Sequence, residues 1–159
     1  MDNYGTLHEA NGRYVLRFER FFTHDVEEVF YILTSPSHFT QWYPFATGNM
    51  DLKVGGKIFL DDGEGMKYEA VITEYDPPYL FSFREVNDLI EISLEEDEKG
   101  CHMTFVHTFD DPSWAVNTAT GWHRCLDVFS NMVHGSPIEW DDNTEKLKKV
   151  YRKKFTKSV

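Results

Sequence analysis

Alternating apolar and polar residues run through much of the first two thirds of the chain. In GRYVLRFERFF, one face carries Tyr14, Leu16 and Phe18, and the other carries Arg17 and Glu19, which is the two-residue period of a β-strand. KYEAVITEYDPP and YLFSFREV predict further strands. DLIEISLEEDEKGCHMTFVHTF predicts a hairpin that turns at EEDEKG, and MDLKVGGKIFLDD predicts two strand pieces joined through its glycines.

Two other stretches have helical spacing. DVEEVFYILTSP predicts a first helix, in which Asp25 and Glu28 resemble a capping box, and SHFTQWYPF predicts a short helix or turn. TATGWHRCLDVFSNMVHG repeats apolar residues at i, i+3, i+4 and i+7, and Gly135 stands where a C-cap glycine is expected. This long helix mixes large aromatic residues with the small Ala119 and Cys125 on its apolar face.

The predicted order is one strand, two helices, about six antiparallel strands and a long helix, which indicates an α+β fold with segregated helices. A chain of 159 residues is long enough for one domain with a sizeable core. Its aromatic content of 16% is high, so aromatic side chains must fill that core or line a site.

Charge is distributed unevenly along the sequence. The net charge is −11, yet residues 146–159 contain seven Lys or Arg and no acid. The acidic remainder argues against a nucleic-acid partner. The basic tail predicts either a surface that binds anions or a terminal helix whose lysines face solvent, and we favour the helix. Four apolar residues would dock this helix on the rest of the protein: Leu147, Val150, Tyr151 and Phe155.

Neither a membrane span nor a secretory signal is visible in the sequence, which predicts a cytoplasmic protein without a membrane partner. Two cysteines, Cys101 and Cys125, do not make a disulfide framework, so we expect both to be reduced and buried. The seven histidines form no i, i+4 pair, and DDGEG lacks the twelve-residue pattern of a calcium loop. We therefore predict no metal and no cofactor.

Five segments, in this order, resemble a known family: FTHDVEEVFYILTSPSHFTQWYPF, DLKVGGKIFL, ITEYDPPYLFSF, MTFVHTF and GWHRCLDVF. Together they are similar to the activator-of-heat-shock-ATPase-like (AHSA-type) branch of the SRPBCC superfamily, which also includes START domains, the birch-pollen allergen and polyketide cyclases. The resemblance implies a helix-grip fold. In that fold a curved antiparallel sheet of about six to seven strands surrounds the long C-terminal helix, with two short helices after strand 1.

The same resemblance implies one domain over residues 1–159, with a core of about 14–135 and a C-terminal extension over 136–159. It also implies an internal cavity between sheet and helix that binds a small hydrophobic molecule. Strand and helix phase place the following side chains in the expected cavity lining: Ile58, Leu60, Tyr68, Phe81, Phe83, Phe105, His107, Trp122, Leu126 and Phe129. The resemblance implies a cavity mouth after the first two helices and so adds Trp42.

His107 and Tyr68 are the polar members of this set, and we expect them to orient the polar end of a ligand. The alternatives are a core histidine satisfied by protein groups and a tyrosine hydroxyl bonded to backbone. Trp42 either gates the cavity, with Tyr43 and Phe45, or plugs the end of the core.

Three functions follow in order of preference. The first is binding of a small hydrophobic ligand, and the second is a chaperone-ATPase activator, which the family name implies. The third is a cyclase-like or hydrolase-like enzyme. It ranks last, with no catalytic residue assigned, because His107 and Tyr68 are the only acid–base pair that we can nominate.

Overall fold

The computed structural model describes residues 3–156, which form a single eight-stranded antiparallel sheet and four α-helices. The sheet order is β1-β2-β8-β7-β6-β5-β4-β3. The strands are β1 (Thr6–Ala10), β2 (Arg13–Phe22), β3 (Ala46–Met50), β4 (Lys57–Asp61), β5 (Lys67–Asp76), β6 (Leu80–Glu85), β7 (Asp88–Asp97) and β8 (Gly100–Phe109). The helices are α1 (Val26–Thr34), α2 (Pro36–Trp42), α3 (Ala115–His134) and α4 (Thr144–Thr156).

Residue alternation makes one face of the sheet almost entirely apolar. Phe18 of β2 is paired with Phe105 of β8, which is paired with Ile92 of β7, which is paired with Phe81 of β6. All four side chains are at most 1% exposed. This row of four strands forms the floor on which the helices pack, and it confirms the predicted antiparallel α+β fold of the helix-grip type.

The strand count was predicted too low, since the sheet has eight strands rather than six to seven. The edge strand β1 accounts for the difference, and the other edge strand, β3, was predicted at the wrong residues. β1 buries only Leu7, and β3 has no fully buried residue, so neither carries the alternating apolar signal of a strand with one face in the core. The sequence also placed the first piece of MDLKVGGKIFLDD too late, because the strand ends at Met50.

Of the two helix caps predicted from the sequence, one is present and the other is absent. Gly135 caps α3 in the left-handed conformation, with φ of 73°, and its N–H donates to carbonyls of the last turn, as predicted. The predicted capping box at α1 is wrong, because the Asp25 side chain makes no cap hydrogen bond.

The long helix α3 packs on the apolar face of the sheet through aromatic contacts. Phe129 lies 5.7 Å from Phe22 of β2 and 5.7 Å from Trp42 of α2, measured between ring centroids. Trp122 lies 4.6 Å from Phe105. Phe129 and its neighbours therefore fill the space beside the C-terminal half of α3.

The C-terminal helix α4 docks on α3 and the N-terminal segment. Leu147, Tyr151 and Phe155 are buried and Val150 is half-buried, while most of the lysines are exposed. Residues 157–159 of the predicted basic tail lie outside the described residues. Within residues 3–156, no helix is long and apolar enough to cross a membrane.

Candidate functional site

An open pocket of about 390 Å³ lies beside the N-terminal half of α3. We call it the α3 pocket. Ligand sites in proteins commonly begin at about 300 Å³, so a small organic molecule fits it. Six parts of the chain form its wall: the residues that follow α2, the start of β5, the end of β6, the end of β8, α3 itself, and the α3–α4 loop. The lining residues are Tyr43, Pro44, Phe45, Tyr68, Glu85, His107, Asn117, Thr118, Gly121, Trp122, Arg124, Cys125 and Trp140.

The polar part of the lining includes a carboxylate and two phenols. The Tyr43 hydroxyl donates a hydrogen bond of 2.6 Å to Glu85 Oε1. Desolvation by burial raises the pKa of Glu85 above its ordinary value, although the bond from Tyr43 opposes that shift. Burial also raises the pKa of Tyr68 to about 12, so this phenol stays protonated at neutral pH. The pocket thus offers one acid and one neutral phenol that is half-buried.

His107 lies in a hydrogen-bonded chain at the wall of the pocket. The Trp122 indole N–H donates to His107 Nδ1 over 2.8 Å, and His107 Nε2 lies 2.9 Å from Asp88 Oδ2. Because an indole N–H can only donate, Nδ1 is the acceptor and Nε2 carries the proton given to Asp88. Both ring nitrogens are therefore hydrogen-bonded to protein groups, and these hydrogen bonds fix the orientation of Trp122.

Aromatic side chains continue from the wall to the mouth of the pocket. Tyr43 stacks on Trp122, with ring centroids 5.2 Å apart. Phe45 and Trp140 are 41% and 39% exposed and mark the opening to solvent. The Arg124 guanidinium lies 5.6 Å from the Trp140 ring centroid and donates to the Asp141 carbonyl over 3.1 Å. These two contacts hold the α3–α4 loop against α3.

The structure brings three of the eleven predicted lining residues to this pocket, namely Tyr68, His107 and Trp122. The other eight are buried in the core and do not line the α3 pocket: Trp42, Ile58, Leu60, Phe81, Phe83, Phe105, Leu126 and Phe129. A ligand-contacting role for any of the eleven stays a prediction.

Sequence reasoning missed Glu85, Gly121 and Trp140 as lining residues. Glu85 had a usable signal, since it follows Phe81 and Phe83 at a spacing of two and therefore shares their inward face. Gly121 also had a usable signal, because a glycine inside a helix lowers stability and therefore suggests that its lack of a side chain serves a purpose. A Cβ built on Gly121 meets no atom within 4 Å. Trp140 lies in a loop, where no periodicity can predict its position.

Cys125 lines the pocket, but its thiol is not expected to react. Burial raises the pKa of Cys125 to about 12, so its thiolate fraction at pH 8 falls by about 1,000-fold relative to an ordinary cysteine. Cys101 is buried as well, with a pKa raised to about 11. We expect iodoacetamide to leave the native protein unmodified over minutes at pH 8, as measured by intact mass. Urea-unfolded protein is the control and should take up two labels, whereas equal labelling of native protein would contradict the assignment.

Metal binding has no support in the part of the chain that the structure describes. Within residues 3–156, no group of three or more His, Cys, Asp or Glu side chains is placed to hold a metal ion. What the pocket can do chemically is enclose an apolar body against aromatic rings and contact it with a carboxylate and a phenol.

Comparison with known proteins extends this picture. Residues 23–134 match the family model described as activator of Hsp90 ATPase homolog 1-like protein. No functionally curated protein matches the sequence.

Solved structures similar to this chain share its fold. A conserved protein of unknown function from Enterococcus faecalis, EF2215, superposes with a TM-score of 0.84 at 17% identity, covering 98% of this chain and 92% of that one. CalU16 from Micromonospora echinospora gives 0.68 at 19% identity, covering 94% and 91%. SSP2350 from Staphylococcus saprophyticus gives 0.63 at 19% identity, covering 80% and 97%. At these identities the likeness concerns the fold alone.

Proposed function

This chain belongs to the family of activator of Hsp90 ATPase homolog 1-like proteins, and we propose that it binds a small, mainly hydrophobic molecule in the α3 pocket. The observation that carries the proposal is a space of about 390 Å³ whose lining surface is mainly apolar and includes several aromatic rings. Tyr68 and Glu85 contact the polar end of the ligand, and Trp122 provides one apolar wall. We place the protein in the cytoplasm, which its two free, buried cysteines support.

His107 has a positioning role in this proposal. Its ring is bonded to Trp122 on one side and to Asp88 on the other, so a ligand that used either nitrogen would have to break a protein hydrogen bond. The same arrangement supports binding over catalysis, because His107 cannot accept a proton at Nδ1 without releasing the Trp122 indole.

The test is to fill the pocket from the helix side. We expect Gly121→Leu to lower the affinity for the neutral dye Nile red at least tenfold, since the new side chain occupies space that is now open. Dye fluorescence measures the affinity, and native mass spectrometry of the purified protein detects a ligand that copurifies with it.

The matched control is Asn131→Leu, which adds the same side chain to the same helix at a half-buried position outside the pocket lining. Its dye affinity should equal that of the wild type. Unchanged dye binding in Gly121→Leu, with both variants folded by circular dichroism, would contradict the proposed site.

A second candidate function is activation of a chaperone ATPase, which the family match favours. It ranks second because the match assigns that activity to no surface of this chain. Stimulation of Hsp90 ATPase turnover by the purified protein would support it. An unchanged rate, with no co-elution at micromolar concentration, would count against it.

A further inference from the structure

The α3 pocket holds one acid in an otherwise mainly aromatic wall, and this combination carries information about the ligand. Glu85 is the last residue of β6, and it shares the pocket lining with the aromatic rings of Tyr43, Phe45, Tyr68, Trp122 and Trp140. Tyr43 donates to Glu85 Oε1 and stacks on Trp122. A carboxylate beside aromatic faces is the arrangement by which proteins bind ammonium groups, through an ion pair and cation–π attraction together.

We propose that the ligand of the α3 pocket is a hydrophobic amine in its charged form, with Glu85 as its counter-ion. This rests on the proposed function, because it names the chemical class of the molecule that the pocket binds. The apolar body of the amine packs on Trp122 and Tyr43, and its ammonium group contacts the carboxylate.

Glu85 is held in place for this role by its own hairpin. Glu85 and Asp88 pair across the two-residue turn Val86–Asn87. Val86 is 82% exposed and has φ of 56°, a conformation that costs a β-branched residue free energy. Arg13 fixes this turn by donating to the Asn87 carbonyl. Strained turns of this kind persist where surrounding contacts over-determine the backbone, so the carboxylate is pre-positioned.

Burial makes the Glu85 carboxylate costly to ionise alone, which raises its pKa. A cation brought into the pocket offsets that desolvation, since an opposite charge at contact distance favours the ionised form. The chain's net charge of −11 adds a general attraction for cations, and the experiment has to separate this attraction from the local one.

Arg124 is the pocket's other charged residue, and its contacts leave it less suited to a ligand. Its guanidinium stacks over Trp140 and donates to the Asp141 carbonyl. Its Nε is buried with no hydrogen-bond partner among the described residues, which is the one feature that would favour an anion. An anionic probe therefore belongs in the test.

Three probes of the same shape decide the matter: phenylbutylamine, phenylbutanol and phenylbutyrate, titrated by isothermal calorimetry at neutral pH. We expect the amine to bind wild type about tenfold more tightly than the alcohol, and the acid to bind more weakly than either. In Glu85→Gln, which keeps the shape and an acceptor for Tyr43, the amine should fall to the affinity of the alcohol.

A matched control isolates the contribution of Glu85. Glu95→Gln changes the net charge equally at an exposed position of β7 and should leave the preference for the amine unchanged. A preference for the acid, or an amine preference that survives Glu85→Gln, would overturn the inference about the ligand's charge. Binding of the alcohol would in that case still support the α3 pocket as a binding site. No binding of any probe by wild type would contradict the proposed function itself.

Discussion

Replacing Trp42 by alanine is expected to lower the free energy of unfolding by about 3–5 kcal/mol. Trp42 is fully buried at the end of α2. Its ring packs edge-on against Phe39 at 5.1 Å and against Phe129 of α3 at 5.7 Å, and its indole N–H donates to the Leu33 carbonyl over 3.3 Å. Truncation opens a cavity where α1, α2 and α3 meet and leaves that carbonyl without the indole donor. The result is a loss of packing that local collapse cannot recover.

Urea denaturation followed by circular dichroism measures this change without depending on tryptophan emission. Trp114→Ala is the matched control, because Trp114 is 60% exposed and should change stability by no more than about 0.5 kcal/mol. Such a loss would support the role of Trp42 as a plug at the end of the core over its role as a gate of the cavity. A loss of less than about 1 kcal/mol at Trp42 would mean that the ring is not part of the core.

Replacing Tyr151 by alanine should destabilise the protein by about 3–5 kcal/mol, although Tyr151 lies in the C-terminal helix. The side chain is fully buried. Its hydroxyl accepts from the Gly5 N–H over 2.9 Å and lies 2.7 Å from His123 Nδ1. One residue thus joins α4 to the N-terminal segment and to α3.

Tyr151→Phe separates the hydroxyl from the ring. It removes the acceptor of the buried Gly5 N–H and should cost about 1–3 kcal/mol, less than the alanine variant. Tyr31→Ala, at a tyrosine that is 62% exposed, is the control and should stay within about 0.5 kcal/mol of wild type. Equal stabilities for Tyr151→Ala and wild type in urea would show that α4 does not contribute to the core.

Periodicity predicted the central part of the fold because each of those elements buries one face. The alternation of Ile90, Ile92 and Leu94 in β7, and the helical spacing through α3, reflect burial directly. Edge strand β1 escaped prediction and β3 was placed too late, because pairing on one side, with little burial, leaves no such pattern.

The candidate site was less accessible to sequence reasoning than the fold. Alternation identifies residues that face inward, such as Phe81 and Phe83, but it cannot distinguish a side chain that fills the core from one that lines an open space. That distinction depends on how α3, three strand ends and two loops meet. Gly121 leaves space in the pocket because it has no side chain, and Trp140 lines the pocket from a loop. Neither property produces a periodic pattern in the sequence.

We propose that the α3 pocket receives a small hydrophobic molecule. The four tryptophans test it directly, since Trp122 and Trp140 line the pocket, Trp42 lies in the core and Trp114 is exposed outside the pocket lining. Titration of ¹⁵N-labelled protein with phenylbutanol, followed by the four indole N–H signals, should move the Trp122 and Trp140 signals saturably and leave the other two unchanged. Shifts confined to Trp42 or Trp114, or no saturable shift at all, would contradict the account.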